Sequence, residues 1–134
     1  MGILKRILQH LLGLFFVTAG LNHFISPDFY LKIMPPYLPG HLFLVYLSGF
    51  FEIALGFLVL IPKFTRLSAW GLIALLIAVF PANIHMSTNP ELYPEYNPAV
   101  LWLRLPLQIA LIAWAYWYTE SAAGIKPVRD VGTA

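Results

Sequence analysis

Cysteine is absent from the 134 residues. Its absence excludes disulfides, CxxC redox chemistry, thiolate metal sites and iron–sulfur clusters. Charge is scarce: charged residues make up 10% of the chain against 60% hydrophobic, where a soluble domain averages roughly 25% charged. A water-soluble chain this small could not cover so much apolar surface, so its natural solvent is lipid. No HExxH, P-loop, GxSxG or GxGxxG motif occurs, which disfavours soluble-type hydrolases and nucleotide enzymes. The eight basic residues form no cluster large enough for a nucleic-acid footprint, although the net charge is +2. Nucleic acid is therefore not an expected partner.

What is present is long apolar runs. A spanning helix needs about 20 mainly apolar residues, and four segments qualify: 7–24, 42–61, 67–84 and 99–118. Pro62, with Lys63 and Arg66, separates the second from the third. Pro36, Pro39 and Gly40 end the first connection, and Pro90, Pro94 and Pro98 punctuate the third. The first run follows Lys5 and Arg6 as a signal peptide would. It is too long for one and no A-x-A site follows, so it reads as a retained helix. Residues 28–34 mix Phe29, Tyr30, Leu31, Ile33 and Met34 with two charges, which suits a short helix lying in the outer interface. The predicted fold is an all-α, four-helix transmembrane bundle in one domain, 1–134, with a cytoplasmic tail over 119–134.

Lys and Arg set the expected direction. Lys5, Arg6, Lys63, Arg66, Lys126 and Arg129 fall on one side of a four-crossing chain, and only Lys32 falls on the other. Both termini are therefore expected in the cytoplasm. Aromatic belts are expected from Trp70, Trp114, Trp117 and Tyr118 inside and from Tyr37, Tyr93, Tyr96 and Trp102 outside.

Two charges interrupt the apolar zone, Glu52 in the second segment and Arg104 in the fourth. Each costs roughly 2.5–3.5 kcal/mol near mid-bilayer on insertion scales, so each should face the bundle interior and find a partner. Ser48, Gly49, Glu52 and Gly56 share one helical stripe, and Leu101, Arg104, Gln108 and Ala115 share another. At about 1.5 Å rise per residue, Gln108 lies level with Glu52 and Arg104 lies one turn above. A Glu52–Gln108 hydrogen bond capped by Arg104 is the expected pairing. It serves equally as a bolt between the two helices or as a proton-exchanging carboxylate with a cationic neighbour.

Asn22, His23, Asn83 and His85 gather near the outer ends of the first and third segments, and Thr18 shares a face with Asn22. Asn83 and His85 are about 200° apart on an ideal helix, so both point inward only if the helix unwinds, for which Pro81 offers a place. His23 and His85 share a depth, but nothing besides this pair supports haem, which is disfavoured. No metal site is expected. The stretches Asn22-His23-Phe24-Ile25-Ser26-Pro27 and Asn83-Ile84-His85-Met86-Ser87, each followed by a Pro- and Tyr-containing loop, form a weak internal echo.

The chain resembles the DoxX family of small bacterial membrane proteins. The resemblance rests on Gly20-Leu21-Asn22-His23-Phe24 with Pro27 and Tyr30, on Met34-Pro35-Pro36-Tyr37-Leu38-Pro39, on Ser48-Gly49-Phe50-Phe51-Glu52-Ile53 with Gly56, on Phe80-Pro81-Ala82-Asn83-Ile84-His85-Met86, and on Arg104-Leu105-Pro106-Leu107-Gln108. It implies a multi-pass protein of the bacterial inner membrane. Founding members are linked with quinone-coupled oxidation of sulfur compounds, others with membrane redox or oxidative-stress complexes. Thiol chemistry of wider relatives does not carry over to a chain without cysteine. On this basis the leading expectation is a membrane subunit in quinone-linked redox chemistry. Glu52 would exchange a proton, with Asn22, His23, Asn83, His85, Arg104 and Gln108 around the ligand and quinone the candidate cofactor. Candidate partners are the lipid bilayer, a second copy in a homodimer, and other membrane redox subunits. The alternatives are a non-enzymatic binder or carrier of a small hydrophobic molecule, and a scaffold that recruits soluble redox partners.

Overall fold

The computed structural model describes residues 2–120, which form helices, turns and short irregular links, with no strand among them. Four long helices and one short one follow in order: α1 (Ile3–Ile25), α2 (Pro27–Ile33), α3 (His41–Leu58), α4 (Thr65–Thr88) and α5 (Pro98–Trp117). The four long ones have 23, 18, 24 and 20 residues and are apolar enough to cross a membrane. Lys126 and Arg129, counted above for orientation, lie outside the described residues.

Proline and short polar side chains set the breaks. Pro27 restricts Ser26 before it, so α1 stops at Ile25 and α2 starts with Pro27 in its first turn. Gly40 is the only described residue with positive φ (60°), the left-handed conformation that turns the chain into α3. The Asn97 side chain accepts the Ala99 N–H at 2.9 Å and caps α5, whose first residue is Pro98.

Two helices differ from expectation. The second was expected to reach Ile61, but α3 ends at Leu58. The Val59 carbonyl is taken by Gln9 Nε2 (2.7 Å) and Thr65 Oγ1 (2.9 Å), and Pro62 has no N–H to continue the ladder. The third was expected to stop at Ile84, but α4 runs one turn further to Thr88. Met86 and Ser87 are buried there, and Ser87 Oγ donates to the Leu101 carbonyl of α5 at 3.0 Å. Pro81 sits inside α4 without ending it.

The long helices run alternately up and down. At one end Gln9 reaches Val59 and Thr65, and Tyr118 Oη donates to the Lys5 carbonyl at 2.7 Å. At the other end Tyr93 Oη donates to the Lys32 carbonyl at 2.9 Å. Tyr93 and Tyr118 were expected in interfacial belts. Both are instead buried, each tying an end of the bundle to a backbone carbonyl. Lys5, Arg6, Lys63 and Arg66 sit at the Gln9 end, and Lys32 and Glu95 at the other.

Packing between α1 and α3 is the closest in the molecule and rests on four glycines. A Cβ on Gly20 would lie 2.6 Å from the Gly49 carbonyl, and one on Gly13 would lie 2.7 Å from the Gly56 carbonyl. The glycines are seven residues apart on each antiparallel helix, so they meet as matched pairs. Small residues at such positions let the backbones approach. An apolar core of Leu12, Phe16, Leu72, Ile73 and Leu76 fills the Gln9 end, and Ile33, Met86, Tyr93 and Leu101 fill the other. Large apolar side chains such as Phe43, Phe50, Phe57, Leu103 and Leu107 cover the outside, which is consistent with a surface that faces lipid.

The short helix α2 is tied to the 90–97 loop by Lys32 Nζ and Glu95 Oε1, 2.5 Å apart and about half exposed. The hydrogen bond to Glu95 holds the Lys32 ammonium above its ordinary pKa, and the same bond holds the Glu95 carboxyl below its own. The depressed Glu95 value means that the tether is present above the ordinary carboxylate pKa and is lost as pH falls through the lowered one. The raised Lys32 value means that it is also lost as pH rises through that one. Glu95→Gln should therefore speed amide exchange over residues 27–33 at neutral pH, and wild type and variant should converge in acid. Equal exchange at neutral pH would show that the helix is held without this tether.

Candidate functional site

Gly49 also determines where His23 sits. A Cβ on Gly49 would meet His23 Cβ at 2.7 Å, so the imidazole of α1 packs directly on the α3 backbone. Its Nδ1 lies 2.9 Å from the Val45 carbonyl and its Nε2 lies 3.0 Å from Glu52 Oε2. A carbonyl only accepts, so Nδ1 carries a hydrogen. Nε2 and Oε2 stand 3.0 Å apart, a contact that is favourable with a proton on one of them. Imidazolium with carboxylate and imidazole with carboxylic acid both meet that condition. The approach is at ion-pair distance but off the line of a hydrogen bond, and buried Oε2 has no other partner among the described residues.

On the opposite wall a second polar chain runs in one direction. Arg104 Nε donates to Asn83 Oδ1 at 3.2 Å, Asn83 Nδ2 donates to Gln108 Oε1, and Gln108 Nε2 donates to the Leu76 carbonyl. The carbonyl at the end fixes both amide orientations: Gln108 must turn its NH₂ to Leu76, which leaves its oxygen for Asn83. Arg104 is held by Nε, and its other N–H groups make no hydrogen bond among the described residues.

Between the two walls is a cavity of roughly 140 Å³ lined by His23, Tyr30, Glu52, Asn83 and Arg104 together with apolar side chains of α2, α3 and α4. An apolar cavity of about this size takes one benzene ring. Tyr30 stacks on His23 with ring centroids 3.8 Å apart, and its hydroxyl accepts from Asn22 Nδ2 at 2.8 Å. Burial pushes the Tyr30 phenol above its ordinary pKa, which keeps it protonated. Arg104 brings a guanidinium to the cavity wall, with N–H groups that make no hydrogen bond among the described residues. An oxygen-bearing ligand, neutral or anionic, matches that charge.

Six of the seven residues expected at the site belong to these two chains or touch them, but not in the expected pairing. Glu52 was expected to bond Gln108. It faces His23 instead, because the glycine contact brings α1, not α5, against its stripe. Gln108 is 3% exposed and forms the end of the Arg104 chain, beneath the cavity wall. Asn22 is exposed and acts through Tyr30. His85 is the exception. Its Nδ1 lies 3.3 Å from Asn89 Nδ2 at the end of α4, away from the cavity lining, as the 200° separation from Asn83 on an unbroken helix dictates. His23 and His85 therefore do not share one site. Among the described residues no three His, Asp or Glu side chains gather as a metal site would need. Sequence reasoning placed Tyr30 in the interface and missed its position over His23. The matched glycine spacing on α1 and α3 was the available signal.

The echo between the two halves has a structural counterpart. In each hairpin a polar side chain near the end of the first helix meets the single charge within the second, His23 with Glu52 and Asn83 with Arg104.

No curated protein and no solved structure matches the chain. A family model covers residues 12–119, from the middle of α1 to just beyond α5, and so includes every residue of the cavity. By that match the chain belongs to the family described as a domain of unknown function, DUF8561.

Proposed function

We propose that this chain is a multi-pass protein of the bacterial inner membrane whose cavity binds the oxygenated ring of a quinone-type molecule as part of membrane redox chemistry. The observation that carries this reading is the meeting, in one ring-sized space, of Arg104, whose other N–H groups make no hydrogen bond among the described residues, with a His23–Glu52 pair at ion-pair distance. Arg104 receives a ring oxygen. The His23–Glu52 pair gives up or takes its proton at the ring, and Asn83 and Gln108 keep Arg104 in place. The resemblance to the DoxX family supports the same reading. The molecules carried by the purified protein test it. A ring compound of the quinone class in near-stoichiometric amount supports the proposal, and bulk phospholipid alone contradicts it.

A second reading has its own support. Apolar side chains such as Ile33, Leu44, Val79 and Ala82 line much of the same cavity, which suits a carrier that holds a small hydrophobic molecule and releases it unchanged.

The proposed orientation puts the Lys5, Arg6, Lys63 and Arg66 end in the cytoplasm and the cavity toward the outer face. The lack of cysteine makes this directly testable. In intact cells a membrane-impermeant maleimide should label Tyr37→Cys and spare Pro62→Cys. The reverse pattern would invert the topology.

A further inference from the structure

A cavity that accepts one ring has no room for a long substituent, so a membrane-borne ligand must leave it through a neck. Tyr30 marks one. It lines the cavity and it also lines a second, open space of roughly 640 Å³ along the outward face of α1. That groove is walled by Leu14, Phe15, Thr18, Leu21 and Asn22 and is mostly apolar. Leu14, Leu21 and Ile25 are exposed there, where a spanning helix meets lipid. The two spaces thus differ in character. One is small, polar at its walls and cationic. The other is long, apolar and open to the side.

We propose that the ligand is an amphiphile, with its oxygenated ring in the cavity and a hydrocarbon tail laid along the α1 groove, and that Tyr30 is the neck between them. The inference rests on the ring-binding reading above and adds the class of molecule and the path of its tail. That the two spaces share Tyr30 as a wall is the argument for this occupant. Tyr30 is held on one side by its stack on His23 and on the other by the Asn22 hydrogen bond at 2.8 Å, so the wall that the two spaces share is fixed and a tail crosses at its edge. A tail leaving there enters the groove at Asn22 and runs past Thr18 toward Leu11, along the helix and parallel to the surrounding lipid chains.

The test uses the full chain in phospholipid nanodiscs. The probe is a methyl-substituted benzoquinone carrying an alkyl chain that ends in a diazirine, and the competitor is the same ring without the chain. After photolysis, peptide mapping should find the label within residues 11–25. A competitor at about ten times its Kd should reduce that labelling about ten-fold by mass action. Label that is competed away but lies on α3 or α5 overturns the tail path and leaves the ring-binding reading standing. Label within 11–25 that the competitor does not reduce is ordinary lipid contact and also overturns the tail path, provided quenching of intrinsic fluorescence shows that the tail-less ring binds. If the tail-less ring neither quenches nor competes, the ring-binding reading fails and the tail path fails with it.

Discussion

His23→Ala should destabilise the bundle by about 3–5 kcal/mol, the usual result of leaving one member of a buried pair without its partner. His23 is 7% exposed and the Glu52 side chain 12%, so water does not replace the lost contact. The Val45 carbonyl loses a donor at the same time. Glu52→Gln should behave differently. With Nδ1 committed to Val45, Nε2 of a neutral His23 is an acceptor, and a glutamine amide can donate to it. The expected cost is that of a rearranged hydrogen bond, about 1 kcal/mol, while the exchangeable proton is lost. Reversible unfolding in mixed micelles separates the two variants. Equal, large losses would mean that the carboxylate is a structural bolt. Negligible loss in His23→Ala would mean that the pair is already solvated.

The glycine contact carries the second large effect. Gly49→Leu puts a branched side chain where a single Cβ already lies 2.7 Å from His23 and 3.0 Å from the Gly20 carbonyl. Neither neighbour can yield without parting α1 from α3, because one is a residue packed between helices and the other is backbone. Overpacking of a fitted core costs about 1–3 kcal/mol and occasionally more. A contact with backbone on one side belongs at the upper end of that range. Gly71→Leu is the control. The nearest atoms to a Cβ at Gly71 belong to the flexible Leu55 side chain, which can turn aside. Gly49→Leu should lose folded protein on size exclusion and Gly71→Leu should keep most of it. Similar yields would show that α1 and α3 are not held by their close approach.

Hydropathy and proline placement were enough to locate the four long helices within a turn or so, and a short helix emerged at 27–33 where one was expected over 28–34. Those features are local, so one sequence carries them. The partner of Glu52 is not local. Depth along each helix pointed to Gln108, but which helix faces the Glu52 stripe depends on side-by-side packing, and that was decided by four glycines rather than by charge. Tyr93 and Tyr118 illustrate the same limit. Composition suggests aromatic residues at an interface, whereas a hydroxyl within reach of a backbone carbonyl draws both into the core. That Asn83 and His85 part company was legible from their 200° separation on an unbroken helix, whereas which of the two faces the cavity was not.

The central claim is that one cavity, built from Arg104, His23 and Glu52, holds an oxygenated ring. The measurement that tests it most directly is mass spectrometry of the small molecules extracted from protein purified in mild detergent, with Arg104→Met and Glu52→Gln treated alongside. The expected result is a ring compound of the quinone class in near-stoichiometric amount with wild type, sharply reduced in Arg104→Met, and altered in amount or oxidation state in Glu52→Gln. Bulk phospholipid alone in all three, or a quinone retained equally by all three, would contradict the account and leave the polar residues as the bolts that join the helices.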